Sequence, residues 1–164
     1  EITDMITWYI ENGRVGHEEI TGWWKDTGTP DALLEGNALM LDEMRIEETG
    51  NRGTVAPGSV IQGKVRIEDG AIIGENVLIR GPVVIGSGCR ISDAYIGPYT
   101  SLGNGVELQN TEIEHSIVME NATLQCEKRI VDSIIGRHAR ITSNQSTLPR
   151  GHKLIIGDNA TVEL

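Results

Sequence analysis

Phenylalanine is absent from this 164-residue chain, and three Trp with three Tyr bring the aromatics to only 4%. A core built from such a sequence must be filled by Ile, Val, Leu and Ala. Only two cysteines occur, Cys89 and Cys126. They are too few for a disulfide scaffold and fit a reducing compartment such as the cytoplasm. No run approaches the ~20 apolar residues of a membrane-spanning helix, and no charged-then-apolar leader opens the chain. Positive charge is scarce: 14 Lys and Arg against 24 Asp and Glu leave a formal net charge of −10. That balance repels nucleic acid and anionic membrane, so neither is expected as a partner. The apolar fraction, 38%, is nevertheless too high for a disordered chain. The length suits one ordinary domain, or a small one with a piece of another. The first residue is Glu rather than Met, which fits a trimmed or partial chain.

What is present falls into two compositions. Four of the six aromatics (Trp8, Tyr9, Trp23, Trp24) precede residue 25, whereas fifteen of the twenty glycines lie from Gly50 onward. The polar stretch of residues 47–53, Glu-Glu-Thr-Gly-Asn-Arg-Gly, reads as the linker between them. Ahead of it, Met5, Ile6, Tyr9 and Ile10 make one face at helical spacing, and Asn12-Gly13 stops the helix. Residues 15–24 read as a strand with bulky apolar positions. Thr29-Pro30 then offers an N-cap and a proline at the first helical position. Leu33, Leu34, Ala38, Leu41 and Met44 give the second helix a stripe to bury. Helix, strand and helix in residues 1–46 cannot close a core alone. They read as the remnant of a larger α/β domain.

The second composition is periodic. Aliphatic residues recur at Val55, Ile61, Ile67, Ile73, Ile79, Ile85, Ile91, Ile96, Leu102, Leu108, Ile113, Val118, Leu124, Ile130, Ile135 and Ile141. Of these fifteen intervals, eleven are six residues and four are five. A second column sits two residues earlier, from Ser59 and Val65 to Ser133 and Ala139, and only Lys128 in it is neither small nor β-branched. Spacing by two puts both columns on one face of a strand. The pattern predicts a parallel β-helix over residues 54–164, with three hexads per triangular coil of about 18 residues and about five coils. Phe would not fit so narrow a prism. Ile-Gly pairs such as Ile73-Gly74, Ile85-Gly86 and Ile96-Gly97 are expected to give its turns backbone freedom. Cys126-Glu127-Lys128-Arg129 is too polar for a closed corner and predicts a small loop. The register lapses after Ile141 and returns at residues 156–162, read as a partial strand closing the open end.

The chemistry-bearing string is Trp24-Lys25-Asp26-Thr27-Gly28-Thr29-Pro30. Asp26 would stand at the C-terminal end of a strand, where open α/β sheets place ligand chemistry. Its carboxylate suits Mg²⁺ bound jointly with substrate phosphates. Equally, Asp26 could brace the turn into the second helix.

The opening Glu1-Ile2-Thr3-Asp4, the string Gly22-Trp23-Trp24-Lys25-Asp26-Thr27-Gly28-Thr29-Pro30 and the helix start Asp31-Ala32-Leu33-Leu34-Glu35-Gly36-Asn37 resemble sugar-1-phosphate nucleotidylyltransferases. With a hexapeptide-repeat tail behind them, the chain is most similar to the C-terminal part of the long-form glucose-1-phosphate thymidylyltransferases. The resemblance implies transfer of dTMP from dTTP to glucose 1-phosphate, with release of pyrophosphate and with Mg²⁺ neutralising charge on the phosphates. It implies that Asp26 is one of two metal-binding aspartates. The other aspartate and the glycine-rich triphosphate loop belong to the nucleotide-binding half and are not in this sequence, so the chain alone is expected to be inactive. It further implies a left-handed β-helix serving oligomerisation, often as trimers, or regulation. Outward aliphatics such as Val84, Ile117 and Ile134 would favour self-association.

A competing enzyme class is the hexapeptide-repeat acyltransferases acting on sugars, which use a His as general base between coils of neighbouring subunits. His115 and His138 fall on outward positions and are the candidates, against the ordinary reading of each as a solvated side chain. His17 reads as part of the early strand, and His152 as packing against the closing segment. Cys89 lies in the small inward column and reads as packing. Cys126 lies in the irregular loop.

Overall fold

The computed structural model describes residues 1–45 and 49–142. His152, the Glu47-Glu48 pair and the closing segment at residues 156–162 lie outside the described residues. Two helices precede the repeats: α1 (Ile2–Asn12) and α2 (Pro30–Glu43). Residues 13–29 hold no strand. The apolar run at residues 15–24 was expected to form one, but a strand needs a ladder partner, and no described segment pairs with it. Instead the Trp23 indole N–H donates to Glu43 Oε1 at 2.6 Å, tying this connection to the end of α2.

The rest is a solenoid. Its first coil carries β1 (Gly50–Asn51), β2 (Thr54–Val55) and β3 (Val60–Gln62); the second carries β4 (Val65–Ile67), β5 (Ile72–Ile73) and β6 (Val77–Arg80). The third has β7 (Val83–Ile85) and the long β8 (Arg90–Ile96), the fourth β9 (Thr100–Leu102) and the long β10 (Glu107–Glu114). The fifth has β11 (Ile117–Val118), β12 (Thr123–Gln125) and β13 (Arg129–Val131), and β14 (Ile134–Ile135) with β15 (Arg140–Thr142) begins a sixth. Every ladder is parallel, and each residue faces its equivalent 16 to 18 positions on, as in Gly50 opposite Arg66, Val83 opposite Thr100 and Thr54 opposite Ile72. One face is the six-stranded ladder β1-β4-β7-β9-β11-β14. β8 and β10 bend through a corner and contribute to both other faces: Ile91 and Leu108 pair on one, Ala94 and Thr111 on the next. Gly50–Asn51, within the stretch read as a linker, already pairs with β4.

Both sequence columns point into the prism. From Ile67 to Leu124 every member of the aliphatic column is buried, and so is every member of the small column from Val65 to Ala122. Burial of this kind supplies roughly 1.5–3 kcal/mol per large aliphatic side chain. The columns loosen at the ends, where Ile61 is 37% exposed and Ile130 and Ile141 are only partly buried. Lys128 is exposed, and the polar corner from Cys126 to Lys128 breaks the strand that β8 and β10 keep continuous. Leu124 and Ile130 are six residues apart where Ile91 and Ile96 are five, so one extra residue must be housed at that corner.

The corners bend through residues of positive φ, stacked coil upon coil. One column runs Gly58, Asn76, Asp93 and Asn110; another runs Gly70, Gly88, Gly105, Asn121 and His138; the third includes Gly63, Tyr99, His115 and Asp132. Gly, Asn and Asp tolerate the left-handed region best, which is why they dominate here. The Ile-Gly pairs were expected to serve that purpose, and those among the described residues do not. Gly86 and Gly97 lack positive φ, and what excludes a side chain is the neighbouring coil. A Cβ on Gly86 would lie 2.7 Å from Asn104 N, and one on Gly97 would lie 2.5 Å from Glu114 Cβ.

Among the described residues one core hydroxyl is unsatisfied. Thr111 Oγ1 donates to carbonyls and Ser116 Oγ donates to Glu114 O, whereas Thr100 Oγ1 is buried with no partner. Thr100→Val keeps the shape and removes an unpaired polar group, so it is expected to stabilise the chain by about 1 kcal/mol. Urea unfolding of the two proteins checks this, and a lower midpoint for the variant would refute it.

Candidate functional site

The connection into α2 is built around Asp26. Its Oδ1 accepts the Gly28 N–H at 3.0 Å, closing a turn typical of aspartate. Thr29 Oγ1 accepts the Ala32 N–H at 3.2 Å, capping α2, and Pro30 takes the first helical position. Lys25 forms an ion pair with Glu35 on the first turns of α2. Thr27 packs where a side chain on Gly36 would stand: a Cβ there would come within 3.4 Å of its Cγ2. The Asp26 carboxylate is thus exposed, held by one oxygen, with Oδ2 making no hydrogen bond among the described residues. It sits in a turn rather than at a strand end, because the preceding run pairs with no strand among the described residues. The structure shows the brace that the sequence offered as an alternative, and the brace leaves the second oxygen open.

Apolar side chains on the helix and connection that precede α2 are exposed. α1 has no buried residue, and Trp8, Tyr9 and Ile10 on it are all exposed. Trp24, next to the turn, is 72% exposed. So many large apolar side chains left exposed are the mark of a surface meant to be covered.

α2 itself is docked on the solenoid, and Leu34, Leu41 and the C-capping Met44 are buried. Asn37 Nδ2 donates to the carbonyl of Tyr99 at 2.9 Å, and Ser101 Oγ donates back to Asn37 Oδ1 at 2.6 Å. Lys64 Nζ donates to the carbonyl of Asp42 at 2.9 Å. Val84, Ile117 and Ile134, the aliphatics expected to drive association, are half-buried on this same six-stranded face.

The two candidate histidines occupy different corner columns, so the fold does not bring them together. His115 Nδ1 lies 2.5 Å from Asp132 Oδ1, one coil on, and its ring meets Tyr99 edge to face at 6.1 Å. That leaves Nε2 as the outward nitrogen. His138 is exposed, and its backbone N–H donates to Glu120 O. Neighbouring Glu120 is paired with Arg137 at 2.7 Å, which holds its carboxyl below the ordinary range. The carboxylate partner that sets His115 apart, Asp132, was not singled out from the sequence; the repeat of 17 residues between them was the available signal.

Cys89 is fully buried and its Sγ donates to Gly103 O at 3.1 Å. Burial pushes its thiol up, so it stays protonated and inert at neutral pH. Cys126 is half-buried in the irregular corner. His17 lies in the exposed, strandless connection. A groove of about 470 Å³ runs along the face of β5, β8, β10 and β12, lined by Arg90, Glu107, Gln109, Gln125 and Arg140 among others. Among the described residues no three His, Cys, Asp or Glu groups cluster as a metal site, and no helix is long and apolar enough to cross a membrane.

No family model matches the chain. It is 38% identical over 165 residues to a glucose-1-phosphate thymidylyltransferase of Streptomyces griseus, a match covering 100% of this chain and 45% of that one. It is 38% identical over 166 residues to the low-salt glycan biosynthesis nucleotidyltransferase Agl11 of Haloferax volcanii, covering 100% and 46%. A bifunctional sugar-1-phosphate nucleotidylyltransferase/acetyltransferase of Sulfurisphaera tokodaii is 34% identical over 137 residues, covering 82% and 34%. The chain spans less than half the length of these curated relatives. Its homologues are thus sugar-1-phosphate nucleotidyltransferases, glucose-1-phosphate thymidylyltransferases among them, each matched over part of its length.

Proposed function

We propose that this chain is the C-terminal part of a cytoplasmic enzyme that transfers dTMP from dTTP to glucose 1-phosphate, giving dTDP-glucose and pyrophosphate. The observation that carries the reading is the similarity of the whole of this chain to part of a thymidylyltransferase, with a W-x-D-T-G-T string that forms a turn with an open carboxylate oxygen. The unburied face of α1 and the exposed Trp8 and Trp24 would pack against the nucleotide-binding part. Domain limits follow: residues 1–46 as the remnant of that α/β part, 47–53 as a junction whose end already joins the solenoid ladder, and 54–164 as the β-helix.

A single carboxylate does not make a Mg²⁺ site. The hard oxygen donor of Asp26 fits one position of a cation shared with substrate phosphates, the remaining ligands being supplied by the upstream part and the substrates. Bound there, Mg²⁺ would supply charge neutralisation at the phosphates. This chain's own contribution is to hold Asp26 by the Gly28 N–H and the capped start of α2, so that Oδ2 presents outward. The solenoid serves assembly into a homo-oligomer, a trimer through its flat faces, or regulation. Pyrophosphate release from dTTP and glucose 1-phosphate tests the reading. None is expected from this chain alone, and rapid release once it is joined to its upstream segment. A joined protein that releases none would overturn it.

A second reading is favoured by the His115–Asp132 pair. A carboxylate on Nδ1 orients an imidazole so that Nε2 can take a proton from a sugar hydroxyl or amine during acyl transfer. One relative is named for both nucleotidylyl and acetyl transfer. Calorimetric titration with acetyl-coenzyme A decides: heat of binding that His115→Ala alters would support it, and a flat titration would remove it.

A further inference from the structure

The three faces of the solenoid use their outward side chains differently. The six-stranded face carries α2, held through Asn37, Ser101 and Lys64. The face that includes β3, β6 and β13 settles charge within the chain: Arg129 pairs with Glu114 at 2.6 Å and lies over the Tyr95 ring. Charge interrupts both of its outward columns, as Glu112 and Arg129 in one and Arg80 and Glu114 in the other.

The remaining face, β2-β5-β8-β10-β12-β15, does neither. One outward column on it stacks Ala56, Gly74, Ser92, Gln109, Gln125 and Thr142, without a charge from the first coil to the sixth. The column beside it holds Arg90, Glu107 and Arg140, all exposed. Arg90 and Glu107 stand opposite each other in the ladder, yet among the described residues none of these three side chains has an ion pair. Arg52, Arg66 and Arg137 all have one. The groove of about 470 Å³ runs along this face. At the corner that follows, Asp93 is exposed, and Asn76 Nδ2 donates to its Oδ1 at 3.3 Å.

Each chain carries a net charge of −10, so copies repel, and contact between them is cheapest where a face is uncharged. Around a three-fold axis parallel to the prism, every residue near the axis meets its own copies at one height. A charge there repels itself, whereas small and amide side chains pack and hydrogen-bond to one another. The uncharged column meets that condition, and a charge-depleted centre with a polar rim is how interfaces are composed. Rotation also sets the column before the uncharged one against the corner after it on the next copy, coil for coil. Arg90 then faces the partner's Asp93, and Glu107 faces the partner's Asn110. We propose that three copies assemble through this face, with Gln109 near the axis and Arg90 paired to the partner's Asp93. The inference rests on the assembly role proposed for the solenoid and is independent of Asp26.

Sedimentation equilibrium of this chain at low salt tests it, and three times the chain mass is expected. Gln109→Glu gathers three carboxylates at the axis and should raise the concentration for half-assembly at least about tenfold. Gln62→Glu, exposed on the face of β3, should change it by less than about twofold. Arg90→Gln and Asp93→Asn should each raise it about threefold, and the two together no more than the worse single change. Asn suits residue 93, which holds φ 47, and far-ultraviolet circular dichroism checks that every variant is folded. Trimers that Gln109→Glu leaves intact, or additive losses at Arg90 and Asp93, would overturn this choice of face while the assembly role stands. A dimer would overturn the three-fold axis. A monomer at every concentration would overturn the assembly role as well.

Discussion

Asp26→Asn in the longer protein is expected to lower kcat by about a hundredfold or more, the scale on which one electrostatic partner of a transition state is felt. The substitution is chosen because the amide keeps an Oδ1 acceptor for the Gly28 N–H, so the turn and the cap at Thr29 survive. What is removed is the negative charge and the open oxygen. As Asp26 is exposed, the unfolding midpoint should barely move, within about 0.5 kcal/mol. Asp26→Ala should show the same loss of turnover with an added loss of stability of about 1 kcal/mol, because the turn goes too. The concentration of Mg²⁺ needed for half-maximal rate should rise for both. Near-normal turnover in Asp26→Asn, or an unchanged Mg²⁺ requirement, would sink the metal assignment and leave Asp26 as a turn brace.

The largest effect on stability is expected at Ile96→Ala. Ile96 is 0% exposed at the middle of the prism, on β8, where two faces share one strand. Truncation there removes buried methyl groups and leaves a void that stacked coils cannot collapse into, costing about 2–5 kcal/mol. In a solenoid each coil touches only its neighbours, so a weak middle coil uncouples the ends. Chemical denaturation should therefore show an earlier and broader transition. Ile96→Val should cost only about 0.5–1.5 kcal/mol. Ile61→Ala, at a position 37% exposed in the first coil, should cost far less than Ile96→Ala. Equal losses at both positions would contradict the gradient of burial along the prism.

Much of the solenoid was legible because its information is local and repeated. Ile67, Ile73 and Ile79 are each six apart, and any one of them could be a core residue of anything; the register of all sixteen leaves one architecture. Lys128 announced the irregular corner in the same way, by breaking its column. The role of the Ile-Gly glycines was misread because sequence shows that a Cβ is absent without showing what occupies its place. For Gly97 that is the side chain of Glu114, 17 positions away. Residues 15–24 were misread for the complementary reason: bulky apolar spacing signals burial, but a strand exists only with a partner, and none is described. At the site, Asp26 was legible through its string, and the choice between brace and ligand was not, since one oxygen braces the turn and the other is left open. Asp132 acts through a neighbour a whole coil away, a relation visible only once the coil length is known.

The two grips on α2 also make it a gauge. Ser101 holds Asn37 on the fourth coil, and Lys64 holds the carbonyl of Asp42 at the start of the second. Two coil spacings amount to about 10 Å, and the five residues from Asn37 to Asp42 advance about 7.5 Å along the helix, a gap that the long arm of Lys64 spans. Adding or deleting one coil between Lys64 and Ser101 would put one anchor out of reach, whereas coils added beyond β11 would disturb neither. Lengthening of this prism during evolution is therefore free on one side of the helix and forbidden beneath it.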